Sequence, residues 1–171
     1  EGFVATIQAR LPSKVTVVLT HGHIDHIGGV TQIRRVFKAE VWCGTDDAEM
    51  LTDPRKNLSI FFGASFSTEK PDRLLRDGDV IRCGLHEATI LHIPGHTPGG
   101  VALAFQQLVL SGDVLFAGSV GRSDFPGGDH ELLIDMIKAK LLPLAPRRVF
   151  PGHGPATRLE HEARTNPFLN E

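Results

Sequence analysis

Residues 20–29 read THGHIDHIGG, a run that places His21, His23, Asp25 and His26 within six positions. Imidazole nitrogen and carboxylate oxygen are ligands for zinc, iron and manganese. Residues two apart in an extended loop can point the same way, which gives His21 and His23 a common direction. Asp25 and His26 fall where the chain turns into a helix, and so face another side. One loop can therefore serve two neighbouring metal ions. Four strong ligands in so short a run, at the end of a buried strand, seldom arise without a metal.

Three more candidates stand in turn-forming sequences: His96 in GHTPGG, Asp113 in SGD and His153 in PGHGP. Each alone reads as an ordinary turn. Their common feature is position, because each follows an apolar run with strand character. Glycine lets the backbone bend tightly, proline stiffens the turn, and loops at strand ends are where a rigid scaffold presents functional groups. The remaining histidines, His86, His92, His130 and His161, read as ordinary surface or hydrogen-bonded residues. In GRSDFPGGD, turn and cap roles account for Asp124 and Asp129, while Arg122 could meet an anionic substrate.

The elements that must position these residues follow from periodicity. Strands are expected over 14–20, 39–43, 79–83, 87–93, 101–105, 108–112 and 147–150. Helices are expected over 27–38, with Val30, Ile33 and Phe37 inward, and briefly over 46–51. A longer helix over 129–142 has Asp129 as its N-cap and Leu132, Leu133, Met136 and Ile137 as its buried stripe. Residues 52–73 read as a long loop over the site, with the apolar IFFGASF at 60–66. Short strands mixed with helices point to sheets covered by helices.

Composition narrows the class. A chain of 171 residues, 41% hydrophobic and 22% charged, suits a single globular domain spanning 1–171. A net charge of −2 without a basic run argues against a nucleic-acid partner. Apolar runs such as VTVVL are too short to cross a membrane. Two cysteines, Cys43 and Cys83, make no disulfide framework, which points to a reduced, cytoplasmic setting.

THGHIDH, GHTPG, SGD and PGHGP, in that order, resemble the metallo-β-lactamase superfamily. LSGDVLFAGSVGRSDFPGGD (110–129) and EARTNPFL (162–169) resemble its glyoxalase II-like hydrolases, above all the short bacterial type without a C-terminal helical domain. The resemblance implies an α+β fold, an αββα sandwich with a dinuclear site at one edge. It implies two divalent metal ions, zinc with iron or manganese as alternatives. His21, His23 and His96 would hold one, Asp25, His26 and His153 the other, and Asp113 would bridge them. The family begins with further strands that carry an acidic residue. Only EGFVATIQARLP precedes the strand at Lys14, so those strands either lie ahead of this sequence or are missing, and in the second case a sheet edge would be exposed.

The reaction implied is hydrolysis of a small-molecule thioester, most of all a glutathione thioester such as S-lactoylglutathione, by a hydroxide held between the metals. Asp25 would orient that hydroxide as the catalytic carboxylate. The chain has no GxSxG elbow that would supply a protein nucleophile. It also has no tyrosine, which speaks against a copy of the larger glyoxalase II pocket. The rival readings are a mononuclear iron persulfide dioxygenase, a β-lactamase or lactonase, and a metal-binding chain without turnover.

Overall fold

The structure, a computed structural model, describes residues 2–9 and 14–170. In chain order, a short helix α1 (Gly2–Gln8) precedes strand β1 (Thr16–Val18), helices α2 (Ile24–Ile27) and α3 (Val30–Phe37), and strand β2 (Glu40–Gly44). Two 3-10 turns, Thr45–Leu51 and Ser59–Phe62, lead to β3 (Arg73–Leu75). Then come β4 (Val80–Cys83), β5 (His86–His92), β6 (Val101–Ala104), β7 (Leu108–Gly112), β8 (Leu115–Phe116) and β9 (Ser119–Val120). Helix α4 (His130–Met136), β10 (Arg148–Pro151), β11 (Thr157–Arg158) and α5 (Leu159–Thr165) complete the order.

These elements build four layers. Strands β1-β2-β3 form a parallel sheet, and β11-β10-β7-β6-β5-β4 form a mixed one. Between the sheets, Leu75 packs with Ile81, Ile90, Val101 and Leu103, and Val18 and Trp42 close over them. Outside the first sheet, Val30 and Ile27 cover Leu19, Val41 and Cys43. Outside the second, Leu133, Ile137, Leu141 and Leu159 cover Ala102, Ala104, Val109 and Val149. This is the expected αββα sandwich. Within the mixed sheet β10 is parallel to β7, while β6 is antiparallel to both β7 and β5. Strands β5, β7 and β10 therefore run the same way, and the loops carrying His96, Asp113 and His153 leave one edge. The Val101 N–H donates to Thr20 O at 2.8 Å and brings the histidine loop of the other sheet to that edge.

Several expectations need correction. The helix at 27–38 is two helices. The His26 and Ile27 N–H groups donate to His23 O, so α2 begins at Ile24 and takes Asp25 and His26 into its turn. Gly28 and Gly29 then break it before α3, which ends on Lys38 in the left-handed region. The helix at 129–142 starts as expected, with Asp129 Oδ1 accepting from Leu132 N at 3.0 Å, but after Met136 it widens into a π turn, Ile137–Leu141. Its buried stripe is Leu133, Ile137 and Leu141, four residues apart, all at 0% exposure. Leu132 lies about 100° round the helix from Leu133 and is 38% exposed. The strand expected at 14–20 is paired only over 16–18. Strands β3, β8, β9 and β11 and helix α5 were not anticipated, being too short for a periodic signal.

Replacing Ile137, at the centre of the outer core, with Ala is expected to cost about 2–5 kcal/mol. The check is a urea midpoint, which must fall at constant slope.

Candidate metal centre

All seven proposed donors meet at the edge of the sandwich. Three groupings have donor atoms within 4.8 Å of one another: His21, His23 and His96; His21, His26 and Asp113; and Asp25, His26 and His153. His96 Nε2 stands 3.1 Å from His23 Nδ1 and 3.3 Å from His21 Nε2. His153 Nε2 stands 3.3 Å from His26 Nε2 and 3.1 Å from Asp25 Oδ2. Asp113 lies between the groups. One oxygen is 3.3 Å from His26, and the other is 3.5 Å from His153 and 3.8 Å from His96. The four histidines read from the sequence as ordinary, His86, His92, His130 and His161, enter none of these groupings.

The chemistry of this donor set fits metal ions. His96 Nδ1 is 2.7 Å from the carbonyl oxygen of Arg122, so Nδ1 carries the proton and Nε2 presents a lone pair to the cluster. Two imidazole nitrogens bound to one tetrahedral zinc stand about 3.3 Å apart, close to the separations found here. Asp113 Oδ1 is buried, and its neighbour His26 Nε2, 3.3 Å away, does not meet it with good hydrogen-bond geometry. A buried carboxylate oxygen left poorly paired is costly, and a cation would remove that cost.

Electrostatics separate the two groups. Burial, then repulsion from the surrounding histidines, pushes His21 well below the usual imidazole range. Burial, then His96, brings His23 down to about 4. Both are neutral near pH 7, the form that binds metal. Burial also opposes charge on His26, but Asp113 and Asp25 outweigh it and raise its pKa. At Asp113 burial works against the carboxylate, yet His26, His96 and His153 hold it below its ordinary value. His21, His23 and His96 are buried, whereas Asp25 and His153 are exposed at the mouth.

Two buried carboxylates missed by sequence reasoning hold the frame. Asp47, in the first 3-10 turn, accepts from Gly22 N at 3.0 Å, Thr97 Oγ1 at 2.8 Å and Gly99 N at 2.7 Å. It ties the loop of His21 and His23 to the loop of His96. Burial raises its pKa, and those three hydrogen bonds oppose the rise. The GTDD turn after β2 was the available signal, read only as a short helix. Glu162 of α5 accepts from Gly118 N and Asn166 Nδ2, each at 2.9 Å, and Asn166 Nδ2 also donates to Ser119 O at 3.1 Å. Helix α5 thereby fixes the β8–β9 hairpin. Gly152 must lack a side chain, because a Cβ there would run into Asp113 Oδ1 and His26 Cε1.

The cluster opens into a cavity of about 730 Å³ walled by Leu58, Phe62, Phe116, Val120 and Phe125, with Arg122 at its side. The expected loop over the site is thus partly met, since Leu58 and Phe62 flank and lie within the second 3-10 turn. A larger hollow, about 960 Å³, lies at the β4–β5 and β6–β7 hairpins and contains none of the seven donors. Among the described residues no helix is long and apolar enough to cross a membrane.

Asp47→Ala leaves three donors without their carboxylate and is expected to destabilise the protein by about 3 kcal/mol or more, at about 1–3 for each orphaned donor. Denaturant unfolding against the parent protein measures it.

Comparison with known proteins agrees with this geometry. The family model for the metallo-beta-lactamase superfamily matches residues 8–153. A hydroxyacylglutathione hydrolase, GloC, of Haemophilus influenzae is 38% identical over 159 residues, 90% of this chain and 75% of that protein. A probable metallo-hydrolase, YqgX, of Bacillus subtilis is 38% identical over 160 residues, 91% of this chain and 76% of that protein. Among solved structures, the BLEG-1 B3 metallo-beta-lactamase superposes with a TM-score of 0.93 at 36% identity, covering 99% of this chain and 84% of that one. TTHA1623 in a di-iron-bound form gives a TM-score of 0.85 at 39% identity, with the same coverage. With the sandwich, the ordered motifs and the convergent donors in place, the chain belongs to the metallo-β-lactamase superfamily.

Proposed function

We propose that this chain hydrolyses thioesters, with glutathione thioesters such as S-lactoylglutathione as substrates and two divalent metal ions as cofactors, zinc with iron or manganese as alternatives. The convergence of seven donors at the mouth of an apolar cavity carries the reading. The likeness to a hydroxyacylglutathione hydrolase supports the substrate, and the di-iron form of a related structure supports two ions. In this reading His21, His23 and His96 hold one ion, Asp25, His26 and His153 the other, and Asp113 serves both.

Ions bound there polarise a carbonyl and lower the pKa of water from about 15.7 to about 7. The chain supplies the rest. Asp25, exposed at the mouth, accepts a hydrogen bond from the attacking water and orients it. The Arg122 carbonyl fixes the His96 ring, and the Asp47 bridge fixes the loops on either side. Leu58, Phe62, Phe116 and Phe125 exclude bulk water from the acyl group. A thiolate with a pKa of about 8.5 leaves without a proton donor, so no general acid is required of the protein.

Protein treated with a chelator is expected to lose hydrolysis of S-lactoylglutathione and to regain it when divalent metal is returned. Turnover of glutathione persulfide with oxygen uptake, and of no thioester, would overturn the proposal. Gly152→Ala, which drives a methyl group between Asp113 and His26, is expected to lower kcat/KM by about 10–100-fold. Steady-state kinetics on metal-replete protein read that change.

A further inference from the structure

The cavity wall is apolar, and the one charge beside it is already engaged. Apart from the histidine and aspartate cluster, Arg122 is the only charged residue lining the cavity among the described residues. Its Nε and Nη2 meet the two oxygens of Asp124 at 2.8 and 2.7 Å, a bidentate pair. That edge is one of the two from which a guanidinium grips a carboxylate with paired hydrogen bonds. Its face lies on the Phe125 ring, 4.0 Å from the centroid. Phe125 in turn stands edge-on to His23 at 5.7 Å, so the stacked pair reaches the metal centre itself. A carboxylate at the end of an acyl chain, away from the histidine and aspartate cluster, would meet the apolar wall and an arginine edge already taken. An uncharged apolar group would gain by burial against Leu58, Phe62, Phe116 and Val120.

We infer that the cavity is an acyl pocket selective for apolar, uncharged acyl groups, and that Asp124 sets this selectivity by withholding Arg122 from substrate carboxylates. The inference rests on the thioester reading. The acyl arm, rather than the thiol arm, enters the cavity because glutathione carries two carboxylates and an ammonium group. Burying these without partners is prohibitive, so they stay at the open mouth. Lactoyl is uncharged and is accepted. A cavity of about 730 Å³ leaves room for considerably larger acyl groups.

The test compares hexanoyl- and adipoyl-glutathione, which share the leaving thiol and chain length and differ by a terminal carboxylate. The parent protein is expected to favour the hexanoyl thioester by about tenfold or more in kcat/KM, the scale set by an unpaired buried charged group. In Asp124→Asn that ratio falls about tenfold as the Arg122 edge loses its charged bidentate partner, and in the double variant Arg122→Gln, Asp124→Asn it rises again. A parent ratio near one, or a ratio that Asp124→Asn leaves unmoved, overturns the inference. Binding of the thioethers S-hexylglutathione and S-(5-carboxypentyl)glutathione by calorimetry separates it from the thioester reading. Preference for the hexyl thioether without turnover of any thioester sustains the acyl-pocket charge selection and removes the reaction. Equal binding removes the charge selection even if thioesters are hydrolysed.

Discussion

Lone pairs do not gather without a reason. His96 Nε2 faces His23 Nδ1 at 3.1 Å and His21 Nε2 at 3.3 Å, and a buried Asp113 oxygen close by has only a poorly aligned His26 nitrogen at 3.3 Å. Such a cluster is unfavourable in itself, since each ring and carboxylate has given up water for neighbours that cannot fully satisfy it. The fold must therefore hold it together by force. The parallel run of β5, β7 and β10 brings three loops to one edge, and a backbone bond from Val101 to Thr20 brings the fourth. Asp47 then locks two of these loops through three hydrogen bonds, from a fully buried position. Metal ions held in the cluster would turn that repulsion into attraction.

The site was more legible in the sequence than the scaffold. HxHxDH, GHTPGG, SGD and PGHGP each place strong ligands in stiff turns, and the structure gathers all seven of those donors within a small volume. Ligand chemistry is written in residue types, so a sequence displays it directly. The frame depends on tertiary contacts, which a sequence displays poorly. Asp47 looked like one of a pair of helix-starting aspartates, and nothing local distinguished it from exposed Asp46. Glu162 and Asn166 stand in a polar run, yet both are fully buried because the β8–β9 hairpin needs their hydrogen bonds. Leu132 and Leu141 were misjudged for a similar reason. The face toward the sheet runs through Leu133, Ile137 and Leu141, which packing against Val149 and Leu159 selects from the apolar residues on offer and which puts Leu132 beside it.

The two halves of the centre differ in character. His21, His23 and His96 are buried, and the Arg122 carbonyl holds the His96 ring from behind, which suits a lasting grip on an ion. Asp25 and His153 are exposed at the mouth, where substrate and water arrive. Asp113 joins the two, and glycine at 152 lets it approach His26. The rigid and accessible sides of the cluster meet at Asp113, and the apolar wall lies beside them.

The most direct measurement is metal content per chain by elemental mass spectrometry, on protein purified without added metal, alongside His153→Ala. The account predicts about two divalent ions in the parent protein and about one in the variant, with the ion of the buried histidines retained. A parent protein that holds one iron, unchanged by His153→Ala, would contradict the dinuclear centre and leave part of the donor set without a role.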